Sequence, residues 1–153
     1  MALKPDRIEA YTDISFFMNE VAERGGVVVH SNSVVGSGIS MDDPDAVVTY
    51  AADQSGRAPA GVLLNDVVNL DLTRQHINWH KDEVQQGSKV TILRQGQVTT
   101  DQVVNGLTIL GGTPAYLGPS GYLTTSSTNS VQVGRFLSSY DLDGYVKVDI
   151  NIT

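Results

Sequence analysis

The sequence predicts a mainly β domain with an extended N-terminal arm and one short amphipathic helix, and three observations carry the β assignment. Near the C-terminus, Val146, Val148, Ile150 and Ile152 alternate with Lys147, Asp149 and Asn151, the period of two expected of a strand with one wet face. Asp143-Gly144 stands just before that run and after another apolar stretch; this is a hairpin signal, because both residues tolerate the backbone of tight hairpin turns. Finally, 15 glycines are spread among many valines and threonines, as suits short strands joined by tight turns.

A chain of 153 residues points to one domain whose core needs no covalent staples. It has no cysteine, which removes both disulfides and thiolate chemistry. Ten Lys and Arg stand against seventeen Asp and Glu, a net charge of −7, and no basic run offsets it, so a nucleic-acid-binding surface is not expected. The apolar runs GVVV and GVLL fall far short of the roughly 20 residues of a membrane span. The opening MALKPDRIEA lacks the basic-then-apolar profile of a signal peptide, so the protein is expected to stay in the compartment where it is made.

Taken in order, residues 1–12 read as an extended, charged arm, with a disordered terminus as the alternative. From Asp13, the residues Ile14, Phe17, Met18, Val21 and Ala22 fall at i, i+3, i+4, i+7 and i+8, the stripe of an amphipathic helix over 13–24. Thr12 or Asp13 would cap its start and Gly25 or Gly26 its end. Phe16 lies off the stripe beside Phe17, and together they form an aromatic surface suited to a partner groove.

GGVVVH reads as a strand. The acidic turn that follows holds Asp42, Asp43 and Asp45; Pro44 interrupts it and the spacing is not that of a calcium loop, so a solvated turn is expected. Three short strands follow, around 46–51, 60–64 and 67–72. The stretch AVVTYAADQSGRAPAGVLLNDVVNLDLTR that holds them loosely echoes AYLGPSGYLTT…VQVGRFLSS, with a tyrosine-bearing strand, a Ser-Gly turn and then a glycine leading an apolar strand in each copy, although the spacings differ. His76 and His80 have the spacing of two ligands on one helical turn, with Asp82 and Glu83 near. Ile77 stands where a zincin needs glutamate, so surface-polar histidines are expected rather than a metal site. Trp79 reads as a packing anchor, with a sugar platform as the alternative. SKVTILRQGQV predicts a hairpin turning at Gln95-Gly96, NGLTILGG a further strand, and 131–152 the closing hairpin. In its first arm Val131 and Val133 share one parity while Phe136 has the other, and a bulge near Gly134 would restore the phase.

No catalytic constellation emerges. GSGIS and GPSGY do not supply the Gly-x-Ser-x-Gly elbow, and no phosphate-binding glycine loop opens a helix. Asp141 and Asp143 flank a hairpin turn, where aspartate is favoured for backbone reasons. SGRAPAGVLL only faintly resembles a motif of trimeric deoxyuridine-triphosphate pyrophosphatases. The protein is therefore not expected to be an enzyme or to hold a cofactor or metal.

A charged arm, GVLLNDVVN, KDEVQQGSKVTILRQGQV and the ending AYLGPSGYLTT…VGRFLSSYDLDGYVKV together resemble tailed-bacteriophage head decoration proteins, the capsid cement proteins. The likeness spans roughly residues 3–150. It implies a small β-barrel or β-tulip-like domain, usually a homotrimer, on the outside of the virion's expanded head after assembly in the host cytoplasm. There it would clamp neighbouring major capsid protein subunits against internal DNA pressure. The length and the predicted helix depart from the smallest members. On this reading the arm residues Leu3, Lys4, Pro5, Arg7, Ile8 and Tyr11 would bind the capsid by adding a strand to a subunit's sheet edge, and Phe16 and Phe17 would face a partner. Deleting residues 1–12 should then leave the domain folded. From another class, a carbohydrate-binding jelly-roll module would use Trp79 and tyrosines as stacking platforms.

Overall fold

The computed structural model describes residues 3–20, 22–31, 46–64, 70–71, 76–77, 83–84 and 89–152, with only the backbone of 70–71, 76–77 and 83–84. Its strands in chain order are β1 (Ile8–Met18), β2 (Ala22–Glu23), β3 (Val27–Ser31), β4 (Val47–Thr49) and β5 (Pro59–Leu64). After these come β6 (Leu70–Asp71), β7 (His76–Ile77), β8 (Glu83–Val84) and β9 (Lys89–Thr100). The last are β10 (Pro114–Leu117), β11 (Leu123–Thr124), β12 (Gln132–Phe136) and β13 (Val146–Asn151), with a 3-10 turn at Pro119–Gly121 between β10 and β11.

Nine strands form one sheet in the order β1-β4-β3-β5-β9-β13-β12-β10-β11, while β2 pairs with β8 and β6 with β7. β9 is the hub. β1 runs antiparallel along it from Lys89 to Gln97, so β5, which meets Thr91 to Leu93, and β13, which meets Gln95 to Thr100, must share its other edge end to end. β1 also pairs with β4, in parallel, at Phe17 and Met18. The pairings from β1 through β4, β3, β5 and β9 therefore return to β1.

This arrangement explains why GVVV and GVLL are unbroken apolar runs. Successive strand residues point to opposite faces, and here both faces are covered. Val27, Val29, Val62, Leu64 and Leu93 join one core with Val98, Val133, Phe136, Val148 and Ile150. Their neighbours Val28, Leu63 and Ile92 join another with Met18, Val48, Ala60 and Val90.

The closing hairpin forms as expected, with Gly134 opposite Ile150 and Phe136 opposite Val148. The phase correction is present on the β10 side. Ala115 faces Gly134 and the next residue, Tyr116, faces Gln132, so Val133 is the extra residue and is buried together with Phe136. Val131, expected to share the face of Val133, is 46% exposed.

Elsewhere the structure corrects the sequence reading. The described residues of 13–24 form no helix: β1 continues to Met18 and β2 follows at Ala22. The spacings of three and four come from a bulged strand, since the β1–β9 register shifts between Glu9 and Tyr11, between Tyr11 and Thr12, and between Asp13 and Phe16. At the last shift Asp13 Oδ1 accepts hydrogen bonds from both the backbone N–H and the hydroxyl of Ser15, which turns Ile14 outward. Phe17 is buried and Phe16 packs against the second core, so these two residues do not form an exposed helix face.

The N-terminal arm lies on its own sheet. Leu3 bridges to Thr100, Lys4 N–H donates to Thr99 O at 3.0 Å, and from Ile8 onward the arm is β1. The hairpin expected at Gln95-Gly96 is instead the unbroken β9. Gly96 has φ 148° there, and the Ile8 carbonyl approaches so closely that a Cβ would overlap it. NGLTILGG is a loop that forms no strand, although Ile109 is in the core. The two segments of the loose echo pair differently: β4 and β5 each join β3, whereas β10 and β12 pair directly with each other.

Candidate functional site

Two surface regions combine exposure with built geometry. The first is the outer edge of β1. Pairing with β4 is confined to Phe17 and Met18, so among the described residues no strand covers the other edge from Ile8 to Ser15. Along that stretch Ile8 is 57%, Tyr11 53% and Ile14 61% exposed. The segment is pinned at both ends, by Leu3 in the core on one side and by Phe17 and Met18 on the other. Lys4 adds a latch to the turn between β12 and β13, with Nζ 2.7 Å from Asp141 Oδ2, 3.5 Å from Asp143 Oδ2 and 4.8 Å from the centre of the Tyr145 ring. The Asp141 hydrogen bond raises the Lys4 pKa, and the same contact, helped by the Tyr145 backbone N–H, lowers that of Asp141.

Of the six arm residues singled out from the sequence, Leu3 and Lys4 thus face inward or are engaged. Pro5 lies exposed between them and β1, and Arg7 pairs with Glu9. Ile8 and Tyr11 face solvent, with the Arg94 guanidinium 5.9 Å from the Tyr11 ring. Ile14 belongs with these two and was obscured by its assignment to a helical stripe.

The second region is a cleft of about 420 Å³ lined by Glu20, Ala22, Glu23, Tyr50, Ala52, Gln102, Ser120 and Tyr122. The Gly-Pro-Ser-Gly-Tyr turn builds one wall. Gly118 N–H donates to Tyr122 O and Ser120 N–H to Ala51 O, each at 2.7 Å. Gly121 has φ 80°, and its bare backbone lies against the Tyr50 ring, where a Cβ would overlap the ring edge. Ser120 holds φ 56°, a region that non-glycine residues seldom occupy. Tyr50 is held on its other side: its hydroxyl donates to Glu23 O and accepts from Gly26 N–H at 3.2 Å. Burial, more than any neighbouring charge, pushes the Tyr50 phenol well above its ordinary value. Glu20 Oε1 accepts from Tyr50 N–H at 2.8 Å and from the Thr49 hydroxyl at 3.0 Å.

Sequence reasoning did not find this cleft. Its residues come from the ends of β1, β2 and β4, from the segment after β9 and from the β10–β11 turn, and no local spacing announces such a convergence. GPSGY reads as a Ser-Gly turn and not as a nucleophile elbow, since a serine wedged between proline and glycine marks a tight turn, but nothing local shows that this turn packs against Tyr50.

His76 has an extended backbone in β7, opposite Asp71, and Glu83 lies in β8 opposite Glu23. Trp79, His80, Asp82, Asp42, Asp43 and Asp45 lie outside the described residues. Among the described residues no group of three or more His, Cys, Asp or Glu is placed to hold a metal ion, and no helix is long and apolar enough to cross a membrane. No protein-family model matches the chain, and no curated protein compared with it is detectably similar.

Proposed function

We propose that the protein is a structural virion component that binds the outer surface of a tailed-phage capsid and stabilises it by clamping neighbouring major capsid subunits, acting by contact and not by catalysis. One observation carries the proposal: β1 is anchored at both ends and between them presents Ile8, Tyr11 and Ile14 along an edge that no described strand covers. An exposed apolar edge is a template for pairing with another chain, and strand addition gives affinity through backbone hydrogen bonds and specificity through alternate side chains. The bulges at Ala10 and Asp13–Ser15 limit how long a strand can pair there, which favours one specific partner over open-ended self-association. The resemblance of the quoted segments to capsid cement proteins supports the same reading.

In this proposal the five-strand run from β1 through β4, β3, β5 and β9 and back is the small barrel, and β13, β12, β10 and β11 extend it. Three copies assemble into a trimer, so that three β1 edges engage together. Each bound edge raises the effective concentration of the next, strengthening the hold by roughly 10²–10⁴ for a matched geometry. The deciding experiment is co-sedimentation with empty, expanded phage heads. The wild-type protein should co-sediment in fixed stoichiometry, a Tyr11→Asp/Ile14→Asp double variant should remain in the supernatant, and Leu142→Asp, at a fully exposed turn residue, should behave as wild type. Failure of the wild type to sediment, or equal binding by the double variant, rejects the proposal.

A further inference from the structure

The geometry points to a second binding function, independent of the capsid reading: the cleft between Glu20, Glu23, Gln102, Ser120 and Tyr122 is a site for a neutral saccharide of one or two rings. The volume, about 420 Å³, lies within the roughly 300–1,000 Å³ of small-ligand sites. Its walls are held in place by contacts that do not consume their binding groups. Glu20 has one carboxylate oxygen fixed by Tyr50 N–H and Thr49 Oγ1, so the other is a positioned acceptor. The Gln102 amide donates to Asp101 Oδ1 at 3.2 Å, which leaves its carbonyl oxygen and a second N–H. The hydroxyls of Ser120 and Tyr122 make no hydrogen bond to a described residue, and Tyr122 is 39% exposed.

This mixture selects the class of ligand. A cation would satisfy the two carboxylates but leave the amide N–H and the hydroxyls without acceptors, and an unmatched polar group displaced from water is costly. An apolar ligand would leave all of them unmatched. A sugar ring carries several hydroxyls, each both donor and acceptor, which pair with carboxylate, amide and hydroxyl partners alike. Its C–H face needs a partly exposed aromatic surface, and Tyr122 offers one with a polar tip at its end.

The backbone strain at Ser120 supplies a variant that keeps the fold. Ser120→Gly removes the hydroxyl and places at φ 56° a residue that adopts this conformation without strain. The test is a glycan array of neutral oligosaccharides probed with the full chain, followed by NMR titration with the best-retained glycan. Saturable shifts confined to the cleft residues Glu20, Ala22, Glu23, Tyr50, Ala52, Gln102 and 118–123, roughly tenfold weaker affinity in Ser120→Gly and loss of binding in Tyr122→Ala support the inference. Retention of no glycan overturns it. So do shifts elsewhere on the surface, affinity unchanged in both variants, or binding of arginine amide at the cleft in place of any glycan.

Discussion

Lys4 Nζ lies 2.7 Å from Asp141 Oδ2, a contact between residues 137 positions apart in the sequence. It fastens the segment before β1 to the turn between β12 and β13, and Leu3 beside it is 2% exposed. The N-terminal residues are therefore part of the sheet, which reverses what removing them should do.

Leu3→Ala should destabilise the fold by about 2–5 kcal/mol, the usual range for truncating a buried leucine. Deleting residues 1–12 should be worse, because it also strips the partner strand from β9 between Leu93 and Gln97. Equilibrium urea unfolding measures both. A deletion variant as stable as the full chain would mean that Leu3 contributes nothing to the core.

How much of this was legible in the sequence depends on where the information lies. The closing hairpin was legible because alternation, turn chemistry and the phase fault at Gly134 all sit within one stretch. The helix over 13–24 was misread because Ile14, Phe17 and Met18 owe their spacing to bulges that β9 imposes, and a single-strand pattern cannot show its partner. Gly96 looked like a turn residue, yet it is needed because Ile8, far away in sequence, crosses close over it. The cleft was illegible for the same reason: its residues meet only through the long-range pairings.

The Lys4–Asp141 latch has a defined pH range. The Asp141 pKa is below its ordinary 3.8, so its contribution is complete above that value and is lost as the pH falls through the folded-state pKa. The Lys4 pKa is above its ordinary 10.5, so its contribution is complete below that value and is lost as the pH rises through the folded-state pKa. The latch is thus closed across neutral pH. In Lys4→Met the Asp141 carboxyl, followed by NMR, should titrate at a higher pH than in the wild type. It should remain below the ordinary value, because Asp141 Oδ1 still accepts from Asp143 N–H and Tyr145 N–H at 2.9 Å each. An unmoved midpoint would mean that the ion pair does not form in solution.

Gly134→Ala should cost about 3 kcal/mol, at the upper end for overpacking. A Cβ there overlaps the Asp149 carbonyl oxygen, which is backbone and cannot retreat without parting β12 from β13. Gly56→Ala isolates the other way an alanine can hurt. Its φ is 68° but nothing lies within 4 Å of the added carbon, so only backbone strain applies, about 1 kcal/mol. Thermal unfolding of the two variants should rank them in that order, and equal losses would show that the β12–β13 approach is looser than described.

Tyr50 joins the cleft to the fold, and its hydroxyl can be tested separately from its ring. Tyr50→Phe keeps the ring against Gly121 but removes the partner of Glu23 O and Gly26 N–H, which should cost about 1–3 kcal/mol. The same hydroxyl has a pH signature. Because burial raises the folded-state phenol pKa above the ordinary 10.0, the neutral form stabilises the fold fully below that pH. This contribution is lost as the pH rises toward the folded-state value, since only the unfolded chain ionises readily. In an alkaline titration followed by tyrosine absorbance, one phenolate should therefore appear together with unfolding. Tyr50→Phe should lack that component, and its stability should fall less steeply with pH above 10.0 than that of the wild type. Parallel pH profiles for the two proteins would show that the Tyr50 hydroxyl is already open to solvent.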